Sequence, residues 1–191
     1  MITNLFLQGP RGIGKSSLLR SVLGEIRDNV GGYFVQRLFR QGEHVGFRMV
    51  DVESGEPYCL NNEIGLRSLE DLNNVIVMKT VAGTWQRFPG VFETVGIQIV
   101  AGAGRGQKRI VLLDELGDIE LEAPGFQQAV LGVLESGKKV IGVLKQSGNP
   151  FIRGIKERED VLTCDLKPAT YPVVLAGVRD FIMAEFDQES I

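Results

Sequence analysis

Cysteine is scarce in this 191-residue chain: Cys59 and Cys164 lie far apart and fit no C-x-x-C spacing. A disulfide framework is thereby excluded, a cysteine metal site is disfavoured, and a reducing cytoplasm is the expected setting. No apolar run approaches the ~18 residues that a bilayer span needs, so no membrane role is expected. The first residues also lack the basic-then-apolar layout of a secretory signal. An excess of one charge is missing too. With 21 basic against 24 acidic side chains, the formal net charge of −3 offers no broad footprint for nucleic acid, although a local basic face can hide in that average. There is no internal repeat, low-complexity tract or linker. Length and a 43% apolar content suit one domain, residues 1–191, with a proper core, and a monomer is expected.

What is present alternates. The short apolar runs "NLFLQ", "GYFVQRLF", "VGFRMVDV", "NVIVMKTV", "RIVLLDE", "KKVIGVLK" and "DVLTCDL" read as strands bounded by turn residues. Between some of them run helical faces: Leu18, Leu19, Val22, Leu23 and Ile26; Phe126, Val130, Val133 and Leu134; and, after Pro172, Val174, Val178, Phe181 and Ile182. This alternation predicts a mostly parallel sheet with helices on its faces. The stretch "GYFVQRLFRQGEHVGFRMVD" breaks it, because "RQGEH" is too short for a crossover helix, so an antiparallel hairpin is predicted and the sheet is mixed. "AGAGRGQ", residues 101–107, ends a helix and leads into the next strand.

Immediately after the first strand comes "GPRGIGKS", residues 9–16, which satisfies the G-x-x-x-x-G-K-S/T spacing. A triphosphate needs several backbone N–H groups converging on its oxygens, and a glycine-rich loop opening a helix supplies them without Cβ clashes. The expected nucleotide-binding set is Gly9, Pro10, Arg11, Gly12, Ile13, Gly14, Lys15, Ser16 and Ser17. Lys15 brings a point charge to the β/γ bridge, and the Ser16 hydroxyl can take one position on Mg²⁺. Arg11 can equally be a solvated loop side chain.

The second half of such a site is read from "RIVLLDELGDIEL". Residues 110–113 bury a strand, and Asp114 emerges at its carboxyl end, where open α/β sheets bind ligands, facing Mg²⁺ through a water. Glu115 follows and can orient and deprotonate an attacking water. "DELG" also fits the D-x-x-G of GTPases, but no guanine-selecting N-K-x-D follows, so base selection is expected to be loose. Lys145 and Gln146, after "KVIGVL", are candidate γ-phosphate sensors. Arg153 and Arg158 are read on a helix-like "PFIRGIKERED", either reaching the transition state or forming a solvated face. His44 falls in the hairpin connection and is expected to be exposed.

With both motifs placed, the chain resembles the small P-loop nucleoside-triphosphatases first recognised in hyperthermophiles, which have a human cancer-related relative. The likeness covers most of the chain and rests on the hairpin "GGYFVQRLFRQGEHVGFRMVD", on "LLDELGDIEL" and on "NPFIRGIKEREDV". It implies a three-layer P-loop NTPase fold with a mostly parallel central sheet, helices on both faces and an antiparallel hairpin addition. It further implies that residues 9–16 bind phosphates, that Ser16 and Asp114 hold Mg²⁺, that Glu115 is the base, and that ATP, GTP and other triphosphates are hydrolysed to diphosphate and phosphate. The chain departs from the family at Gln36 and Arg37, where acidic residues are usual, and at Gly83, Thr84 and Trp85, where the family has G-K/Q-Y. Trp85, the one tryptophan, either stacks on a base or is an ordinary core or interface aromatic. Two further readings stay open: a nucleotide or small-molecule kinase, although no arginine-rich lid insertion is visible, and a nucleotide-switched or nucleic-acid-associated ATPase.

Overall fold

In the computed structural model, which describes residues 1–65 and 72–186, the strands form one mixed nine-stranded sheet. They are β1 (Asn4–Gln8), β2 (Val30–Arg40), β3 (Glu43–Asp51), β4 (Asn61–Glu63), β5 (Val75–Lys79), β6 (Trp85–Arg87), β7 (Ile110–Leu116), β8 (Lys139–Leu144) and β9 (Val161–Asp165). The order is β6-β5-β3-β2-β7-β8-β1-β9, with β4 added against the far half of β2. Strands β2, β7, β8, β1 and β9 run parallel, whereas β2-β3, β3-β5 and β5-β6 pair antiparallel. The predicted hairpin is thus the start of a four-stranded antiparallel half.

The period of two along each strand sorts the core onto two faces. Phe6, Tyr33, Val35, Val111, Leu113 and Val140 point one way and pack under α2 (Ile97–Arg105), α3 (Pro124–Leu134) and α4 (Pro150–Lys156). Leu5, Leu7, Phe34, Ile110, Leu112, Ile141 and Val143 point the other way, under α1 (Lys15–Leu23) and α5 (Tyr171–Met183). Helices therefore cover both faces, as predicted, and "AGAGRGQ" closes α2 before β7. Among the described residues, no helix is long and apolar enough to cross a membrane.

Register decides what stands over the sheet's carboxyl edge. β2 pairs with β7 only from Val30↔Ile110 to Tyr33↔Leu113 and then continues to Arg40. Its second half, with β3, β5 and β6, therefore rises beyond the end of β7 as a wall beside that edge.

Candidate active site

The loop between β1 and α1 is where the sequence places phosphate binding, and its local geometry follows from its glycines. Gly9 and Gly14 have φ of 140° and 100°. A Cβ on Gly9 would lie 2.6 Å from the Leu166 carbonyl oxygen, so a larger residue would push the loop off the end of β9. No side chain caps α1 and its first turn holds no acid, so its leading N–H groups face outward toward whatever the loop encloses. Lys15 Nζ donates to the Gly9 and Pro10 carbonyls at 2.8 and 2.9 Å, folding the ammonium over its own loop. Burial lowers its pKa, against the raising pull of Glu115 and Asp114. Arg11 and Ser17 are exposed, and Ile13 packs toward the α1 core.

Ser16 and Asp114, 98 positions apart, meet: Ser16 Oγ donates to Asp114 Oδ1 at 2.9 Å. The other carboxylate oxygen accepts the Val35 backbone N–H at 3.2 Å. Asp114 is fully buried, and burial first, the neighbouring Glu115 second, push its carboxyl up to about 7. Glu115 has a left-handed backbone, φ 66°, uncommon for a residue with a side chain and concentrated at working sites. That twist interrupts the β7-β8 ladder between Leu113 and Leu116 and points two successive carboxylates into different surroundings. Glu115 is one-third exposed, and Lys145 Nζ stands 3.6 Å from it.

A group of residues that the motif reading passed over holds this acidic turn. The buried Glu120 carboxylate accepts the Gly117 N–H at 2.9 Å, and burial raises its pKa to about 6. Asn149 Nδ2 donates to Gly117 O at 3.0 Å and to Asp118 at 2.9 Å, while Asn149 Oδ1 caps α4 through the Ile152 N–H at 2.8 Å. Ser147 also hydrogen-bonds Asp118. The loop after β7 is thereby tied to the loop after β8, which carries Lys145. One sequence signal was available: Asn149 before Pro150 is a helix-start pattern.

The other candidates divide. Lys145 reaches the site, and Gln146 beside it is exposed. Arg153 lies on the exposed face of α4, 4.0 Å from Glu157. Arg158 requires correction: α4 ends at Lys156, and the Arg158 guanidinium binds Asp160 through two 2.9 Å hydrogen bonds and Glu135 at 3.2 Å. Asp160 in turn accepts from Asn4 at the amino end of β1, so Arg158 clamps the edge of the sheet opposite the phosphate loop. His44 is also corrected, since it lies within β3, half-buried against Phe39 and Phe47. Gln36 is buried, bonded to Arg48 Nε at 2.8 Å and to Cys59 O at 2.7 Å, whereas Arg37 is exposed.

The site has oxygen donors suited to a hard divalent cation. Among the described residues no three His, Cys, Asp or Glu side chains cluster to cage a metal. Mg²⁺ needs no such cage, since it keeps waters and takes one or two protein oxygens plus substrate phosphates. The Ser16 hydroxyl beside the buried Asp114 carboxylate fits that demand.

Comparison with known proteins places the chain in a family. The family model described as NTPase matches residues 4–178. The nucleoside-triphosphatase THEP1 of Thermotoga petrophila is 28% identical over 162 residues, covering 85% of this chain and 83% of the relative. The cancer-related nucleoside-triphosphatase homolog of Mus musculus is 25% identical over 193 residues, covering 94% and 98%. Among solved structures, THEP1 from Aquifex aeolicus superposes with a TM-score of 0.67 at 16% identity, covering 92% of this chain and 96% of that one. The human cancer-related nucleoside triphosphatase gives a TM-score of 0.67 at 23% identity, covering 95% and 97%. These two likenesses establish the fold.

Proposed function

Because this chain belongs to the NTPase family, we propose that it is a nucleoside-triphosphatase that hydrolyses ATP, GTP and other triphosphates to diphosphate and phosphate with Mg²⁺. The observation that carries the reading is the 2.9 Å bond joining Ser16 of the phosphate loop to Asp114, with Glu115 next in sequence. The loop and the amino end of α1 bind the β- and γ-phosphates through backbone N–H groups. Lys15 exchanges its two loop carbonyls for phosphate oxygens and offsets the charge that develops on the transferred group. Ser16 and Asp114 would hold Mg²⁺, which would supply further charge neutralisation at the phosphates. Glu115 orients water and takes its proton, while Lys145 beside it fixes the direction of that carboxylate.

Replacing Glu115 by Gln preserves size and hydrogen-bonding reach but not basicity. Glu115→Gln is expected to keep nucleotide affinity and to slow phosphate release by roughly 10²- to 10⁴-fold. Unchanged turnover would remove Glu115 from the chemistry. Adding nucleosides and nucleoside monophosphates to the same assay tests for an acceptor other than water, and a phosphorylated product would convert the reading to a kinase.

A further inference from the structure

The chain between β3 and β4 crosses the α1 face of the sheet, and its residues take no part in the catalysis proposed for the phosphate loop and the acidic turn. Side chains of the body hold this strap, residues 52–60, in place. The Arg27 guanidinium donates to Val52 O at 3.2 Å and to Glu56 O. Arg48, buried on β3, pairs with the Glu56 carboxylate and gives its Nε–H to Gln36 Oε1 at 2.8 Å. Gln36 Nε2 then donates to Cys59 O at 2.7 Å. Gln36 uses both ends of its amide for this, an oxygen toward Arg48 and an N–H toward the strap, where a carboxylate would supply only the first.

What the strap delivers is Tyr58. Its ring lies on Phe34, with centroids 4.5 Å apart, and packs into the core beneath α1. Only 9% of the residue is exposed, and its buried hydroxyl has no hydrogen-bond partner among the described residues. Burying a phenol oxygen without a bond is unfavourable, and a phenylalanine would fill the same space without that cost. Register sets where the oxygen stands. Phe34 precedes Val35, whose N–H holds Asp114 Oδ2, and it points to the α1 face, from which Ser16 reaches Asp114 Oδ1. Tyr58 therefore approaches the Ser16 and Asp114 pair from the β2 side, on the face where that pair meets. The electrostatics agree: burial first and Asp114 second push the phenol well above its usual pKa, and Arg20, one turn after Ser16 on α1, opposes them.

We infer that Tyr58 is a positioning residue for the metal, its hydroxyl bonding a water of the Mg²⁺ shell beside Asp114. Mg²⁺ dehydrates reluctantly and keeps several waters when protein and phosphate oxygens take its other positions, so waters on the ion are left facing protein. Such a water is a strong donor. A neutral phenol oxygen can accept from it while its own O–H turns to a carboxylate or phosphate oxygen, and it adds no second negative charge beside the buried Asp114. Outer-shell bonds of this kind orient what the metal keeps, and losing one commonly weakens metal binding about tenfold or more. The strap then has a purpose in the site: Arg27, Arg48 and Gln36 hold the segment that holds Tyr58. The assignment rests on the triphosphatase reading and adds one residue to its metal position.

Tyr58→Phe keeps the ring on Phe34 and removes one oxygen, so the fold should survive it and the melting temperature without metal should not fall. Binding is measured apart from turnover, by the fluorescence anisotropy of a labelled, non-hydrolysable ATP analogue across a series of Mg²⁺ concentrations and in EDTA. The variant should bind the analogue as the parent does at saturating Mg²⁺ and in EDTA, and should need about tenfold more Mg²⁺ to reach half of the metal-dependent gain. An unmoved Mg²⁺ midpoint would overturn the assignment and leave Tyr58 a core aromatic, with the triphosphatase intact. An affinity loss of equal size in EDTA and in Mg²⁺ would overturn it as well, because the hydroxyl would then serve the nucleotide or the fold without passing through the metal. Failure of the parent protein to bind the analogue at any Mg²⁺ concentration would overturn the triphosphatase reading and this assignment with it.

Discussion

The two halves of the sheet are built on different rules. In β7 and β8 nearly every residue is buried, on both faces, so side chains there have no freedom that packing does not grant. In β5 burial fades along the strand, and β6 is exposed throughout. The parallel half buries Asp114, whose two oxygens are taken by Ser16 and by the Val35 N–H at the root of the wall, and the antiparallel half presents Trp85, Arg37 and Arg87 to solvent. The proposed metal and base positions thus sit where packing is tightest, and the exposed rows of the wall sit where it is loosest.

One substitution placed in each half tests that division. A Cβ on Gly142 of β8 would lie 2.2 Å from the Leu113 carbonyl oxygen and 2.9 Å from the Phe6 ring, with buried strands on both sides. Gly142→Ala must therefore spread β8 from β7 one residue before Asp114, and it is expected to cost about 3 kcal/mol or more, at or above the usual range for overpacking. Its turnover should fall together with its stability. Gly46→Ala in β3 meets the Val77 carbonyl at 2.8 Å, a milder clash near the free end of the wall. About 1 kcal/mol is expected there, with kcat for ATP hydrolysis unaffected. Equal losses in urea unfolding would erase the distinction between the halves.

What the sequence made legible divides along the same line. The parallel half announced itself because strands buried on two faces read as unbroken apolar runs, and because the phosphate loop needs glycine at fixed spacing. Those runs alone put Asp114 at the end of the apolar run, although β7 continues through it to Leu116 after a break in the ladder. Much of the wall was obscure. "WQR" is too short and too polar to carry a strand signal, and "NNE" forms β4 only because the projecting half of β2 offers an edge to pair with. Arg158 looked like a helical charge because local pattern cannot reveal that Glu135 reaches it from another part of the chain, or that Asn4 holds its neighbouring partner Asp160. The binding set of Asn149 was hidden for the same reason, since its partners Gly117 and Asp118 are more than 30 positions away.

Asn149 offers a smaller perturbation that separates support from chemistry. Asn149→Ala removes the α4 cap and both ties to the acidic turn, and about 1 kcal/mol of stability should be lost. If the tie positions Lys145 and Glu115, kcat should fall several-fold at unchanged KM. A stability loss with no change in kcat would reduce Asn149 to a helix cap.

The last expected effect concerns Glu120, and its sign is opposite to the others. Its folded carboxyl titrates at about 6 against an ordinary value of 4.5, because burial penalises the charge more than the Gly117 N–H and Lys145 relieve it. The folded protein therefore holds a proton that the unfolded chain has released between those two values, and stability declines as pH rises through that window. Above pH 6 the ionised carboxylate costs up to about 2 kcal/mol, the gap between the two values taken at about 1.36 kcal/mol per pH unit. Glu120→Gln keeps an oxygen for the Gly117 N–H and abolishes the charge, so it should raise the melting temperature at pH 7.5 and leave it unchanged near pH 4. A gain at both values would assign the effect to packing. A loss at pH 7.5 would mean that the acidic turn needs the charge as well as the hydrogen bond, and the buried half would then be tuned for more than placement.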